Sequence, residues 1–125
     1  MEGKYYLTGE DFDFFLEGID LKSAYTLNPI KSYYFFDIYN GWYGLVKELI
    51  TKLLEAGWDG ILCQVKEKYG TLRFYIGSSN DEVFDLINEY ELLSSSTCEV
   101  CGSKGEIISQ SGWLKTSCKT CGTSP

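Results

Sequence analysis

An α+β fold is expected for this chain: helices packed on a small antiparallel sheet, followed by a short C-terminal segment held by four cysteines. Three observations carry that expectation. Apolar residues recur at helical spacing over 42–54 and again over 83–90, they alternate with polar ones beside Tyr69-Gly70, and two C-x-x-C pairs stand sixteen residues apart near the end. With 125 residues, 44% of them hydrophobic and two of them proline, the chain has the length of one folded domain plus an appendage. We place an α+β domain at 1–93 and the cysteine-bearing segment, packed on it, at 94–125.

The first helix is expected from Glu10 to Glu17. Thr8 stands before it with Asp11 three residues later, similar to a capping box, while Phe12, Phe15, Leu16 and Ile19 share one face and Gly18 stops it. Beyond it, Asn28-Pro29 marks a turn, and the aromatic run over 33–39 is expected to add a third strand to the sheet. From Gly41 the pattern becomes helical again. Trp42, Leu45, Val46, Leu49, Leu53 and Leu54 form a stripe, Lys47, Glu48, Thr51, Lys52 and Glu55 take the opposite side, and Gly57 ends the helix. A third helix opens at Ser79, with Glu82 completing a capping box and Val83, Leu86, Ile87 and Tyr90 on one face. Its outer acids, Asp81, Glu82, Asp85 and Glu89, suit a solvated face near the helix N-terminus better than a metal site.

Between these helices, residues 61–77 read as a β-hairpin with a two-residue turn at Tyr69-Gly70, where glycine accepts positive φ. That turn sets Lys68 opposite Thr71, Lys66 opposite Arg73, Val65 opposite Phe74, Gln64 opposite Tyr75 and Cys63 opposite Ile76. Alternation then puts Cys63, Val65, Leu72, Phe74 and Ile76 on the buried face. Cys63, with no histidine in the chain to activate it, is expected to act as a small hydrophobe. The outer face carries Lys66, Lys68, Arg73 and Tyr75. Lys66 and Arg73 repel each other across the strands, and an anion would relieve them. One of the protein's own carboxylates is the simpler source; a ligand phosphate or an acidic partner is the other.

Cys98, Cys101, Cys118 and Cys121 follow C-x2-C-x16-C-x2-C, within the spacing of a zinc ribbon. Two residues between paired thiolates let one tight turn present both sulfurs to a single ion at about 2.3 Å. Gly102 and Gly122 follow the pairs, and backbone N–H groups with Lys104, Lys115 and Lys119 offset the charge of four thiolates. A redox C-x-x-C normally stands alone at a helix start after a strand, which is not the pattern here. Four cysteines close the zinc shell, so the expected role is structural. A segment this short buries no core of its own, and metal binding supplies folding energy on the order of 10 kcal/mol. Two strands are expected within it, turning at Gln110-Ser111-Gly112. Trp113 either packs the ribbon against the domain or stands exposed as an anchor for a partner.

Charge narrows the partners. The net charge is −7, residues 78–97 carry −5, and residues 61–77 carry +2. An acidic chain is a poor general binder of nucleic acid. The opening MEGKYYLTGEDFDFF lacks the basic and apolar regions of a secretory signal, and no apolar run approaches the roughly 18 residues that cross a bilayer. A cytoplasmic protein with reduced thiols is expected.

Gly41-Trp42 at a helix start, then "QVKEKYGTLRFYI", then "CEVCG" together resemble a family of small phage and prophage proteins. Their pattern is a G-W helix start, a V-K-E-K-[FY]-G-x-L-R-F-Y hairpin and a C-x-x-C turn. The resemblance covers roughly residues 40–122. Its last metal ligands are often cysteine with histidine, where this chain has Cys118 and Cys121. It implies a phage setting and a fold but no reaction.

No enzyme is expected. Without histidine there is no imidazole base and no Ser-His or Cys-His pair, and no phosphate-cradling glycine loop is present. The favoured function is binding to a host protein as an inhibitor or adaptor, with a defence system among the expected targets. Thirteen of the 20 aromatic residues precede residue 45, and such side chains supply contact area at low entropic cost. The alternative is a nucleotide or nucleic-acid binding module using Lys66, Lys68 and Arg73, with Tyr75 for stacking.

Overall fold

A computed structural model describes residues 2–122. In chain order the elements are α1 (Gly9–Glu17), β1 (Lys22–Ser23), a 3₁₀ turn at Tyr33–Phe35, β2 (Phe36–Asp37) and a second 3₁₀ turn at Asn40–Trp42. There follow α2 (Tyr43–Glu55), β3 (Ile61–Lys68), β4 (Thr71–Ile76), α3 (Asp81–Ser94), β5 (Glu106–Gln110), β6 (Trp113–Ser117) and α4 (Lys119–Gly122). The fold class is α+β, with a zinc-ribbon-like tail.

Local chemistry accounts for the helix starts. The Thr8 hydroxyl accepts from the Asp11 N–H at 3.1 Å, as the capping pattern predicts. The cap of α3 is Asn80, whose Oδ1 accepts from Val83 N–H at 2.9 Å, and not Ser79. Asn80 also donates to the Ala56 carbonyl beyond the end of α2, so one side chain ties two helix termini together.

The hairpin β3–β4 keeps the expected register from Lys68↔Thr71 to Gln64↔Tyr75 and then slips by one residue, pairing Ile76 with Leu62. Cys63 is the bulged residue. It stands half-buried, and Leu62 takes the core position expected for it. The reason lies on the other edge of β3, where Ile61 and Leu62 pair with Lys22 and Ser23. Val65 and Lys66 pair there with Phe36 and Asp37, so two short strands follow each other along that edge, both parallel to β3. The sheet is therefore mixed, with its antiparallel part confined to the hairpin.

The third strand expected over 33–39 shrinks to Phe36–Asp37. Asp13 of α1 accepts from Tyr33 N–H at 2.6 Å and Ser32 caps Tyr34 N–H at 3.2 Å, which curls residues 33–35 into a 3₁₀ turn despite their β propensity. The core lies between the helices and the sheet. It joins Phe12 and Leu16 of α1 and Leu45, Leu49 and Leu53 of α2 to Val65, Leu72 and Phe74. Phe12 stacks on Tyr43 at 4.9 Å and meets Phe36 edge-on at 4.9 Å.

Helix α3 also closes the free edge of β4. Ser94 Oγ accepts from Leu72 N–H at 2.9 Å and Glu91 Oε2 from Phe74 N–H at 3.0 Å, which removes two donors that another strand would otherwise recruit. Ser94→Ala leaves the Leu72 N–H buried and unpaired. We expect it to cost about 1–3 kcal/mol in urea unfolding, and an unchanged midpoint would refute this role.

Candidate metal centre

The first cysteine pair is gripped from two sides. Gly41 N–H donates to the Glu99 carbonyl at 3.0 Å, and the Trp42 indole Nε1–H donates to the Thr97 carbonyl at 2.8 Å. From the other direction, Gly3 N–H reaches the Cys101 carbonyl at 2.6 Å and Tyr5 N–H the Gly102 carbonyl at 3.4 Å. The G-W pair at the start of α2 is thus the seat of the C-x-x-C turn. The second pair arrives on the β5–β6 hairpin, which ends at Ser117, and Cys118–Cys121 wrap the short α4. A helical turn there replaces the simple C-x-x-C-G turn expected.

All five cysteines are free thiols. The sulfurs of Cys98, Cys101, Cys118 and Cys121 all lie within 4.8 Å of one another, with Cys98 buried and the other three half-buried. Cys101 Sγ and Cys118 Sγ are 3.6 Å apart, far beyond a disulfide bond. Four sulfurs each about 2.3 Å from one ion would stand about 3.8 Å apart, so the arrangement can hold a metal ion such as zinc.

The electrostatics of the cluster fit a cation. The Cys118 thiol is pulled down to about 6, first by the backbone N–H of Cys121, whose nitrogen lies 3.4 Å from the sulfur. Burial pushes Cys98 up, but N–H groups of Cys101, Cys118 and Val100 outweigh it and leave the thiol below its usual range. Cys121 is pushed up to about 12, by burial and then by hydrogen bonding to the sulfurs around it. Four thiols so close cannot all ionise alone, and a divalent ion resolves the conflict. Lys104 and Lys119 border a hollow beside Cys118, where their charge complements the thiolates.

Glu99, inside the first C-x-x-C, is a feature the sequence reading missed. It is buried, its Oε2 has no hydrogen-bond partner among the described residues, and burial followed by the charge of Glu67 pushes its carboxyl up to about 7. Only the tertiary docking of the hairpin tip on β6 brings it there. That docking is marked by the Thr116 hydroxyl donating to the Gly70 carbonyl at 2.6 Å.

The other sequence-chosen residues lie elsewhere. Lys66 and Arg73 face each other as expected and are half-buried, while Lys68 and Tyr75 are exposed. Asp37 pairs with Lys66 on the other edge, which places a carboxylate-bearing residue in the same row, and Arg73 Nε is buried with no hydrogen-bond partner among the described residues. Trp113 does not pack the ribbon against the domain. It is 78% exposed beside the ribbon's Ser111-Gly112 turn, because the docked face of β6 is formed by Thr116. The acids of α3 at positions 81, 82, 85 and 89 are exposed. Among the described residues no helix is long and apolar enough to cross a membrane. In comparison with known proteins, no protein-family model, no curated protein and no solved structure matches this chain.

Proposed function

We propose that this protein is a non-enzymatic binding protein whose Cys98, Cys101, Cys118 and Cys121 hold one structural zinc ion, and that it acts by occupying a partner protein. Thiolate ligands favour zinc over magnesium or calcium, and four of them leave no open position for a substrate. The observation that carries the partner reading is the exposure of large aromatics on an ordered scaffold. Tyr34 is 82% and Phe14 78% exposed, although other aromatics of the same segment fill the core. Phe14 sits on α1, and Tyr34 on the turn that Asp13 holds, with its ring stacked on Tyr33 at 4.3 Å. Pre-ordered aromatic side chains make contact at little entropic cost. Tyr25 and Tyr39 extend the same N-terminal set. The resemblance of residues 40–122 to small phage proteins supports a host factor as the target, bound as an inhibitor or adaptor, and the net charge of −7 suits a basic surface on it.

The test is a pull-down from host lysate with the wild type and with the double variant F14S/Y34S. A stoichiometric complex, lost in a variant that keeps its metal content and circular dichroism, is the expected result. Recovery of the same complex with both proteins, or of no protein with either, would remove this reading.

A further inference from the structure

We propose that a cleft between residues 4–7 and the outer face of α2 binds a small phosphorylated ligand of the nucleotide class. This site is separate from the metal centre, from the exposed aromatics and from the basic face of the hairpin. The cleft encloses about 430 Å³, within the roughly 300–1,000 Å³ typical of small-molecule sites. Three lysines line it: Lys4 from the N-terminal segment, and Lys47 and Lys52 from α2. In a chain with 11 basic and 18 acidic residues, that is a local reversal of sign.

The lysines are not consumed by carboxylates. Their ammonium groups rest over the rings of Tyr5, Phe15 and Tyr90 at 5.0, 5.6 and 5.5 Å, and these are their only interactions among the described residues. A cation on a ring face keeps its N–H donors for an anion. Two acids also border the cleft, Glu48 and Glu55. Glu48 is engaged on its α3 side, where Oε1 accepts from the Tyr90 hydroxyl at 2.6 Å, and Glu55 lies at the last residue of α2.

The opposite wall is fixed before any ligand arrives. Gly44 N–H donates to the Tyr5 carbonyl at 2.8 Å and Leu7 N–H to the Asn40 carbonyl at 3.1 Å, which lays residues 5–7 along the first turn of α2. Tyr5 and Tyr6 are half-buried and border the cleft, and Lys4 Nζ lies 5.0 Å from the centre of the Tyr5 ring, so a ring face and a cation stand together on this wall. That pairing recognises a planar ring joined to a phosphate. The acidic remainder of the protein opposes an extended nucleic acid, whereas a ligand confined to the cleft meets three lysines and two glutamates, a net positive lining.

An NMR titration of the full-length, metal-replete protein tests this with AMP, ribose 5-phosphate and adenosine as probes. AMP is expected to saturate at one per chain, shifting the Gly44 and Thr51 amides and weakening as salt rises. Ribose 5-phosphate and adenosine each lack half of the recognised group and should bind at least about tenfold more weakly. K47Q/K52Q should weaken AMP by at least about tenfold with the metal content and circular dichroism unchanged, while K66Q/R73Q should leave it intact. Absence of saturation at millimolar AMP, unaltered affinity in K47Q/K52Q, or loss in K66Q/R73Q alone would each overturn the assignment. Binding of oligonucleotides without AMP would overturn it too.

Discussion

Cys98→Ser is expected to release the metal and melt the ribbon from Thr97 to Gly122. Cys98 is the most buried of the four ligands, and its sulfur receives backbone N–H groups from both knuckles, so its loss removes the point around which the two pairs close. Structural zinc contributes on the order of 10 kcal/mol of apparent binding free energy, and the two-stranded β5–β6 hairpin is too small to persist without it. The residues before 94 hold the hydrophobic core and should lose only the hydrogen bonds that Gly3, Tyr5, Gly41 and Trp42 make to the knuckle and the one that the Gly70 carbonyl accepts from Thr116. Metal analysis should fall from one ion per chain to none, and hydrogen exchange at Ile108 and Lys115 should rise to unprotected rates while Leu49 and Val65 stay protected. Cys63→Ser is the control. That thiol lies at the bulge, outside the cluster, and its replacement should leave the metal in place. A Cys98→Ser protein that keeps a full equivalent of metal, or that loses it with β5–β6 still protected, would refute a structural site.

The parts of this molecule that could be read in advance are those whose causes are close in sequence. A C-x-x-C pair shows itself because one turn must deliver both sulfurs to one ion. The Tyr69-Gly70 turn does so because a two-residue hairpin loop needs positive φ, here 55° and 82°, and the register follows from it for as long as the ladder is regular. The register fails at Cys63, where β1, some forty residues earlier in the chain, fixes Ile61 and Leu62. Residues 33–35 likewise obey Asp13 of α1 over their own preference for strand. Both errors have one origin, a distant partner that outweighs local propensity. The candidate centre divides in the same way. Its four ligands are legible, but the buried Glu99 and the seat formed by Gly3, Gly41 and Trp42 belong to the tertiary structure alone. Nothing in a strand pattern could indicate that Trp113 faces away from the domain, since alternation defines two faces and not which of them is covered.

Gly41→Ala is expected to damage both the fold and the metal centre. Gly41 has ordinary negative-φ backbone, so the case against a side chain is one of space. A Cβ there would stand 2.2 Å from the Cys98 carbonyl oxygen and 2.6 Å from the Glu99 carbonyl carbon, both backbone atoms within the metal-binding turn. Backbone held by a metal site cannot swing aside as a side-chain tip would. Relief requires the first knuckle to lift off α2, which breaks the Gly41–Glu99 bond and the Trp42–Thr97 bond with it. Overpacking together with two lost buried hydrogen bonds should cost more than about 3 kcal/mol in unfolding. Docking and metal binding share the same residues, so affinity falls as well, by about tenfold for each 1.4 kcal/mol of docking lost. Gly112→Ala supplies the contrast. It sits at φ +85° with no atom near its missing Cβ, so alanine there meets only backbone strain of about 1–2 kcal/mol, and the metal affinity should hold. Competition with a chromogenic chelator separates the two variants directly. If Gly41→Ala binds metal as tightly as the wild type and unfolds at the same urea concentration, the knuckle is not seated on α2 as described. The G-W pair would then need another explanation.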